Sequence, residues 1–133
     1  MKLKQEDREL LLKDLSARVP YHPMVHIKEL GGIDYENYLY ADYLDLMMSY
    51  SITLKPYLRP MSSMTEEEEK EYRKTMDKYT HRLYPNSADF SEHTEYSWTT
   101  ETFDFLNAHH LDYRGLIPMG LAIEAPKGMY NFN

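Results

Sequence analysis

Two histidines and an aspartate within four residues, His109, His110 and Asp112, are the side chains of this sequence best suited to hold a metal ion. With His93 and Glu101 elsewhere in the chain, the set contains the imidazole and carboxylate ligands of zinc or non-haem metal sites. Their spacing opposes that use: neighbours on a helix project about 100° apart, so His109 and His110 face one ion together only if the helix ends there. His110 also falls on an apolar stripe with Phe103, Leu106 and Tyr113, which points to a histidine hydrogen-bonded at the core boundary. A metal-dependent enzyme using His109, His110 and Asp112 stands as an alternative, without an HExxH pattern behind it.

Other chemistries find less support. Asp104 with Asp112, or Asp42 with Asp45, could form an acid-base pair, but acids at such spacing commonly make a solvated face. Ser62-Ser63 lacks the Gly-x-Ser-x-Gly elbow that exposes a nucleophile, and both fit a helix-capping role. The glycines, at 31, 32, 115, 120 and 128, form neither a phosphate loop nor a dinucleotide fingerprint. No cofactor is expected, and a catalytic role is disfavoured.

Contact chemistry is better represented. Of the 18 aromatic residues 13 are tyrosines, rings with an apolar body and a polar tip that suit half-buried sheets and binding surfaces. Tyr38 and Tyr40 alternate in one such stretch. In Lys55-Pro56-Tyr57-Leu58-Arg59-Pro60, two cations flank a ring on a stiff, extended segment. That arrangement suits stacking on a base beside a phosphate, or packing of Tyr57 into a hairpin while Lys55 and Arg59 reach for water or the nearby glutamates. The interaction candidates are therefore Tyr38, Tyr40, Tyr57, Lys55 and Arg59.

The charge balance weighs against nucleic acid. The 133 residues carry 15 Lys plus Arg against 22 Asp plus Glu, a net charge of −7, and the acid excess lies after residue 60. Nonspecific grip on a phosphate backbone comes from cations displacing counterions, so nucleic-acid binding would need a local basic patch. The absence of cysteine excludes disulfides, thiol catalysis and thiolate metal centres. No stretch approaches the roughly 20 apolar residues that span a bilayer, and Met1 to Asp7 lacks an apolar signal core, which implies no membrane and cytoplasmic residence. A protein partner or a second copy of the chain remains as the contact to be made.

The elements that must position these residues form an α+β single domain over 1-133, helix and sheet over 1-60 and mainly helical over 61-133. Leu11, Leu12, Leu15 and Val19 predict a helix over 4–18, stopped by Pro20 and Pro23. Met24 to Leu30 alternates as a strand with Val25, Ile27 and Glu29 on one side, and Gly31-Gly32 turns the chain into a second strand over Tyr35 to Tyr43. Leu44 to Tyr50 fits helix or strand equally, while Ser51 to Arg59 reads as extended, so an antiparallel sheet, or a small SH3-like barrel, occupies residues 20–60. Ser63 with Glu66 and Thr65 with Glu68 both have capping-box spacing ahead of a helix expected to reach about His81, where Pro85-Asn86 closes it. Asn86 to Ser97 reads as a loop. Thr99 or Thr100 caps a further helix whose stripe runs from Phe103 to Tyr113, with a separate short helix over Tyr113 to Ile117 capped by Asp112 as the alternative, and Leu121 to Pro126 can add an edge strand.

Three blocks, Leu15 to Tyr21, Leu54 to Glu68 (LKPYLRPMSSMTEEE) and Phe105 to Tyr130 (FLNAHHLDYRGLIPMGLAIEAPKGMY), resemble a family of short uncharacterised proteins encoded in gut-bacterial genomes and their phages and prophages. They cover 48 residues in order. The resemblance implies a small, intracellular, often mobile-element-encoded protein, and it assigns no activity. The relatives carry a charged pair where this chain has Pro118-Met119, which argues against a helix running past Ile117. Together with the tyrosine excess, the expected function is a non-enzymatic interaction protein that binds another protein through a tyrosine-rich surface.

Overall fold

The computed structural model describes residues 3–83 and 91–130. The architecture is α+β, and the chain divides into two compact units, Met1–Ser63 with Leu106–Asn133, and Met64–Phe105.

The first unit begins with helix α1, Gln5–Arg18, whose Leu11 and Leu15 are fully buried, as their spacing predicts. A short 3-10 turn, Val19–Tyr21, carries Pro20 and ends at His22 in the left-handed region (φ 45°). Strand β1, Met24–Glu29, pairs antiparallel with β2, Asp34–Tyr38, through a turn in which Gly31 adopts φ 69°, and β1 pairs again with β3, Ile52–Leu58. Alternation sorts the side chains. Val25, Ile27, Ile52, Leu54 and Leu58 enter the core with Leu11 and Leu15. Met24, His26 and Lys28 share the opposite face with Asp34, Glu36, Tyr38, Thr53 and Lys55, by the registers Met24↔Tyr38, His26↔Glu36, His26↔Lys55 and Lys28↔Thr53.

The second strand is shorter than the tyrosine pattern predicts. It stops at Tyr38, Leu39 turns into the core, and Tyr40 stands at the N-cap of helix α2, Ala41–Met48. The ambiguous stretch is thus helical: Met47 is buried and Leu44 packs against the core, while Leu46 and Met48 face outward. The sheet does not close. A two-residue strand β6, Ile123–Glu124, adds in parallel to β3, giving the open order β2-β1-β3-β6, so the SH3-like barrel is not formed. The expected edge strand at the tail is present. In place of a helix over Tyr113 to Ile117, Asp112 accepts hydrogen bonds from the amides of Leu116 (2.8 Å) and Ile117 (2.9 Å), and the chain makes successive turns.

In the second unit, helix α3, Glu66–Thr75, opens with a capping box: Thr65 Oγ1 accepts from the Glu68 amide at 3.1 Å, and Glu68 accepts from the Thr65 amide at 3.0 Å. Of the two candidate boxes, the fold uses this one; the Ser63 hydroxyl donates to the Pro60 carbonyl. The helix ends six residues before His81. The Thr75 carbonyl accepts from the hydroxyls of Thr99 (2.7 Å) and Thr102 (3.1 Å), and Met76 is extended. Asp77–Leu83 then forms strand β4, antiparallel to β5, Ser91–Ser97, where the sequence reads as a loop. The two strand sequences, DKYTHRL and SEHTEYS, are mostly polar and carry no apolar alternation to announce a strand, so they pass for other structure. The expectation that Pro85-Asn86 closes the helix lies outside the described residues. Helix α4, Thr100–Ala108, is capped at Thr99, whose hydroxyl accepts from the Thr102 amide at 3.3 Å. Trp98 sits edge-on to Tyr72 and Phe103.

Candidate functional site

His110 follows α4 at a helix stop that the apolar stripe does not foresee. Its amide donates to Asn107 O (3.1 Å) and the Leu111 amide donates to Leu106 O (3.0 Å), the two bonds of a Schellman cap, with His110 itself at φ 58°. Glycine usually occupies that position because a Cβ is strained there by about 1–3 kcal/mol. The cap swings His110 off the helical stripe. Residues 110–112 run instead beside the end of β3: the Arg59 amide donates to His110 O and the Asp112 amide to Arg59 O, both at 2.8 Å.

That segment and β1 leave a gap between them along the same edge of β3, and Tyr130 fills it. Its hydroxyl donates to Tyr57 O and accepts from the Met24 amide, each at 2.8 Å, taking the place of the direct bond that the β1–β3 register would give this pair. The Tyr130 ring stacks on His110, centroids 4.0 Å apart and planes 28° from parallel. Burial pushes the Tyr130 phenol up to about 12, so it remains a hydrogen-bond donor. His110, only 7% exposed, is lowered to about 4 by burial first and then by the charges of Arg18, His109 and Arg59, and its ring is neutral at pH 7.

A cavity of about 510 Å³ opens on the side of the sheet away from the core, lined by His110 and Tyr130 with Tyr21, His22, Met24, Tyr38 and Met129. His22 Nδ1 lies 2.8 Å from Leu39 O, and a carbonyl can only accept, so Nδ1 is the donor. Tyr40 packs 5.1 Å from the His22 ring, with Tyr43 beyond it at 6.4 Å. Tyr38 and Tyr40 are 53% and 47% exposed, and together they give this end of the sheet a rim of phenols. A smaller cavity of about 390 Å³ also touches Tyr130 and is lined by Arg59, Ser63, Glu124 and Lys127.

Behind the site lies a buried charge cluster. Arg18, fully buried, donates to both oxygens of the equally buried Asp14 (2.8 and 3.1 Å) and to Leu111 O (2.8 Å), while Arg114 donates to Asp14 at 2.9 Å. Two guanidiniums thus share one carboxylate. Arg18 Nη1 makes no hydrogen bond among the described residues.

The remaining candidates from the sequence are dispersed. Lys55 is exposed on the outer sheet face, whereas Tyr57 is buried and donates to Glu36 Oε1 at 2.5 Å, a bond that, with burial, pushes its phenol up to about 12. Arg59 is half-buried and donates to the carbonyls of His109 (3.3 Å) and Ser63 (3.2 Å). His109 is half-buried beside it, and both oxygens of Asp112 serve the turn amides. His93 lies in β5. Among the described residues, no group of three or more His, Asp or Glu side chains is placed to hold a metal ion. No described helix is long and apolar enough to cross a membrane.

The structure thus joins His110 and Tyr38 with residues that spacing does not single out: Tyr21, His22, Met24 and Tyr130. No local pattern marks them, since they lie up to 109 positions apart and meet only through the β1–β3 edge. The chain matches no family model, no curated protein and no solved structure.

Proposed function

We propose that the protein is a non-enzymatic binding module that engages another protein through the tyrosine-rich end of its sheet, in the role of an accessory factor of a phage or mobile element. The observation that carries this reading is exposed Tyr38 in the wall of a cavity lined by rings and thioethers, with exposed Tyr40 packed against the His22 of that wall. Tyr and Met are enriched where proteins bind: a ring offers a large contact area with little rotamer entropy to lose, and a thioether adapts its shape. The side chains with perturbed protonation serve this purpose as well. His110 and Tyr130 are held neutral and stacked on each other, a state suited to packing and hydrogen bonding rather than proton transfer at pH 7.

Photo-crosslinking from Tyr38 tests the proposal, with the exposed Glu71 of α3 as the control position. A single protein crosslinked from position 38 and not from position 71, and bound at least about tenfold more weakly by a Tyr38→Ala/Tyr40→Ala variant, is the expected result. Equal capture from both positions contradicts it.

A further inference from the structure

The strand order β2-β1-β3-β6 leaves one side of β2 without a neighbouring strand among the described residues. Which backbone groups face that side follows from the ladder. The Leu39 amide donates to Pro23 O (2.8 Å) and the Glu29 amide to Ile33 O (3.3 Å), so the bonded pairs between them are the alternate ones, Val25↔Asn37 and Ile27↔Tyr35. Asp34, Glu36 and Tyr38 therefore turn their N–H and C=O groups away from β1. Of these, the Tyr38 amide donates to Asn37 Oδ1 at 2.8 Å. The amides and carbonyls of Asp34 and Glu36 lie open, a template for another strand. The side chains of this edge sort by charge. On the outer face Asp34, Glu36 and Tyr38 stand in a row against Lys28, His26 and Met24 of β1, and β2 itself carries no Lys or Arg. Glu36 accepts from Tyr57 through one oxygen and Asp34 stands 3.6 Å from His26, so both carboxylates keep lone pairs for further donors. Antiparallel pairing with a second copy, centred on Tyr35 or Glu36, would set carboxylate against carboxylate, which disfavours this chain as its own partner.

We infer that β2 takes up an extended segment of a partner protein as an additional antiparallel strand, with Lys or Arg opposite Asp34 and Glu36 and an aromatic or aliphatic side chain opposite Tyr38. This rests on the protein-binding reading above and specifies the form and charge of what binds, since Tyr38 belongs both to this edge and to the cavity wall. Main-chain hydrogen bonds to Asp34 and Glu36 hold the segment, and its alternate side chains select it. Partner residues opposite Asp34 and Glu36 direct their own amides at β2 with Cα atoms about 5.5 Å apart, which sets each cation beside its carboxylate. The apolar residue packs on Tyr38 at the mouth of the cavity.

Amide hydrogen exchange and NMR shifts of the full chain are followed while three end-blocked peptides are titrated. They are Thr-Phe-Thr-Lys-Thr-Lys-Thr, the same sequence with both lysines replaced by glutamate, and the lysine peptide methylated on the backbone nitrogens of its two lysines, which keeps the charge and removes the donors. The lysine peptide is expected to bind and to slow exchange of the Asp34 and Glu36 amides at least about tenfold, with Tyr35 and Asn37, already bonded to β1, changing less. The glutamate and methylated peptides should bind at least about tenfold more weakly. Asp34→Lys, at an exposed position, should narrow or reverse the preference for lysine over glutamate. Equal binding of the methylated peptide, binding without slower exchange at Asp34 and Glu36, or no binding at millimolar peptide overturns the inference. Slowing of these amides with protein concentration alone overturns it in favour of a second copy. Peptide binding unimpaired in Tyr38→Ala/Tyr40→Ala supports the added strand and overturns the tyrosine-surface reading. A protein crosslinked from position 38 that leaves both amides exchanging freely overturns the strand and leaves the broader reading standing.

Discussion

The ends of α2 and α4 close with the same device and put it to different uses. Each stops in a Schellman cap with a non-glycine residue in the left-handed region, Tyr50 (φ 62°) after α2 and His110 (φ 58°) after α4. Each receives an arginine from α1: Arg8 donates to the carbonyls of Met47 (2.7 Å) and Met48 (2.8 Å), and Arg18 to that of Leu111 (2.8 Å). At the α2 end the ring faces solvent, 61% exposed, and the Arg8 guanidinium stacks on it at 3.5 Å. At the α4 end the ring is buried, stacked on Tyr130, and faces a cavity. One αL residue therefore finishes a helix, and the other also positions a side chain where a ligand can meet it.

If that difference is physical, the two arginines must differ most. Arg18→Met removes one partner of a buried ion pair and leaves Asp14 dependent on Arg114, with an expected loss of about 3–5 kcal/mol in urea unfolding. Acid should separate the two ends next. The His110 pKa falls from 6.5 to about 4 on folding, so burial of the neutral ring contributes fully above pH 6.5, and its contribution declines as pH drops through 4. The whole shift corresponds to about 3 kcal/mol. A stability profile from pH 7 to pH 3 should show this limb in the wild type and lose it in His110→Gly, with Tyr50→Gly unchanged in shape. Arg8→Met, which frees two carbonyls without stranding a buried carboxylate, should cost about 2 kcal/mol in the same unfolding measurement. Tyr50→Gly should be smallest, within about 1 kcal/mol of zero, because relief of the left-handed strain offsets the lost Arg8 stack. A Tyr50→Gly penalty larger than that of Arg18→Met would erase the distinction.

The sequence exposes parts of this picture unequally. The Leu11 and Leu15 spacing and the Val25, Ile27 alternation read directly as α1 and β1, because each buries one face and burial sets the period. The β4–β5 ribbon is hidden for the opposite reason: the sequences DKYTHRL and SEHTEYS show no apolar alternation, and the end of α3 that frees them depends on Thr99 and Thr102 engaging the Thr75 carbonyl. His110 is singled out by its residue type, but its role is not, since the helical stripe extends it one turn too far. Tyr130 is legible only as one tyrosine among 13, and its insertion between Met24 and Tyr57 depends on a strand register that no short motif encodes. Asp112 is foreseen as a cap and is one, for a turn in place of a helix.

We propose that the protein meets its partner at the cavity lined by Tyr38, His22 and His110, with Tyr40 packed on His22. Calorimetric titration of the protein crosslinked from position 38 into wild type, Tyr38→Ala/Tyr40→Ala and Tyr79→Ala tests this most directly. The expected result is affinity reduced at least about tenfold in the double variant alone, with its melting temperature unchanged. Equal affinity in all three, or a loss confined to Tyr79→Ala on the β4–β5 ribbon, would contradict it.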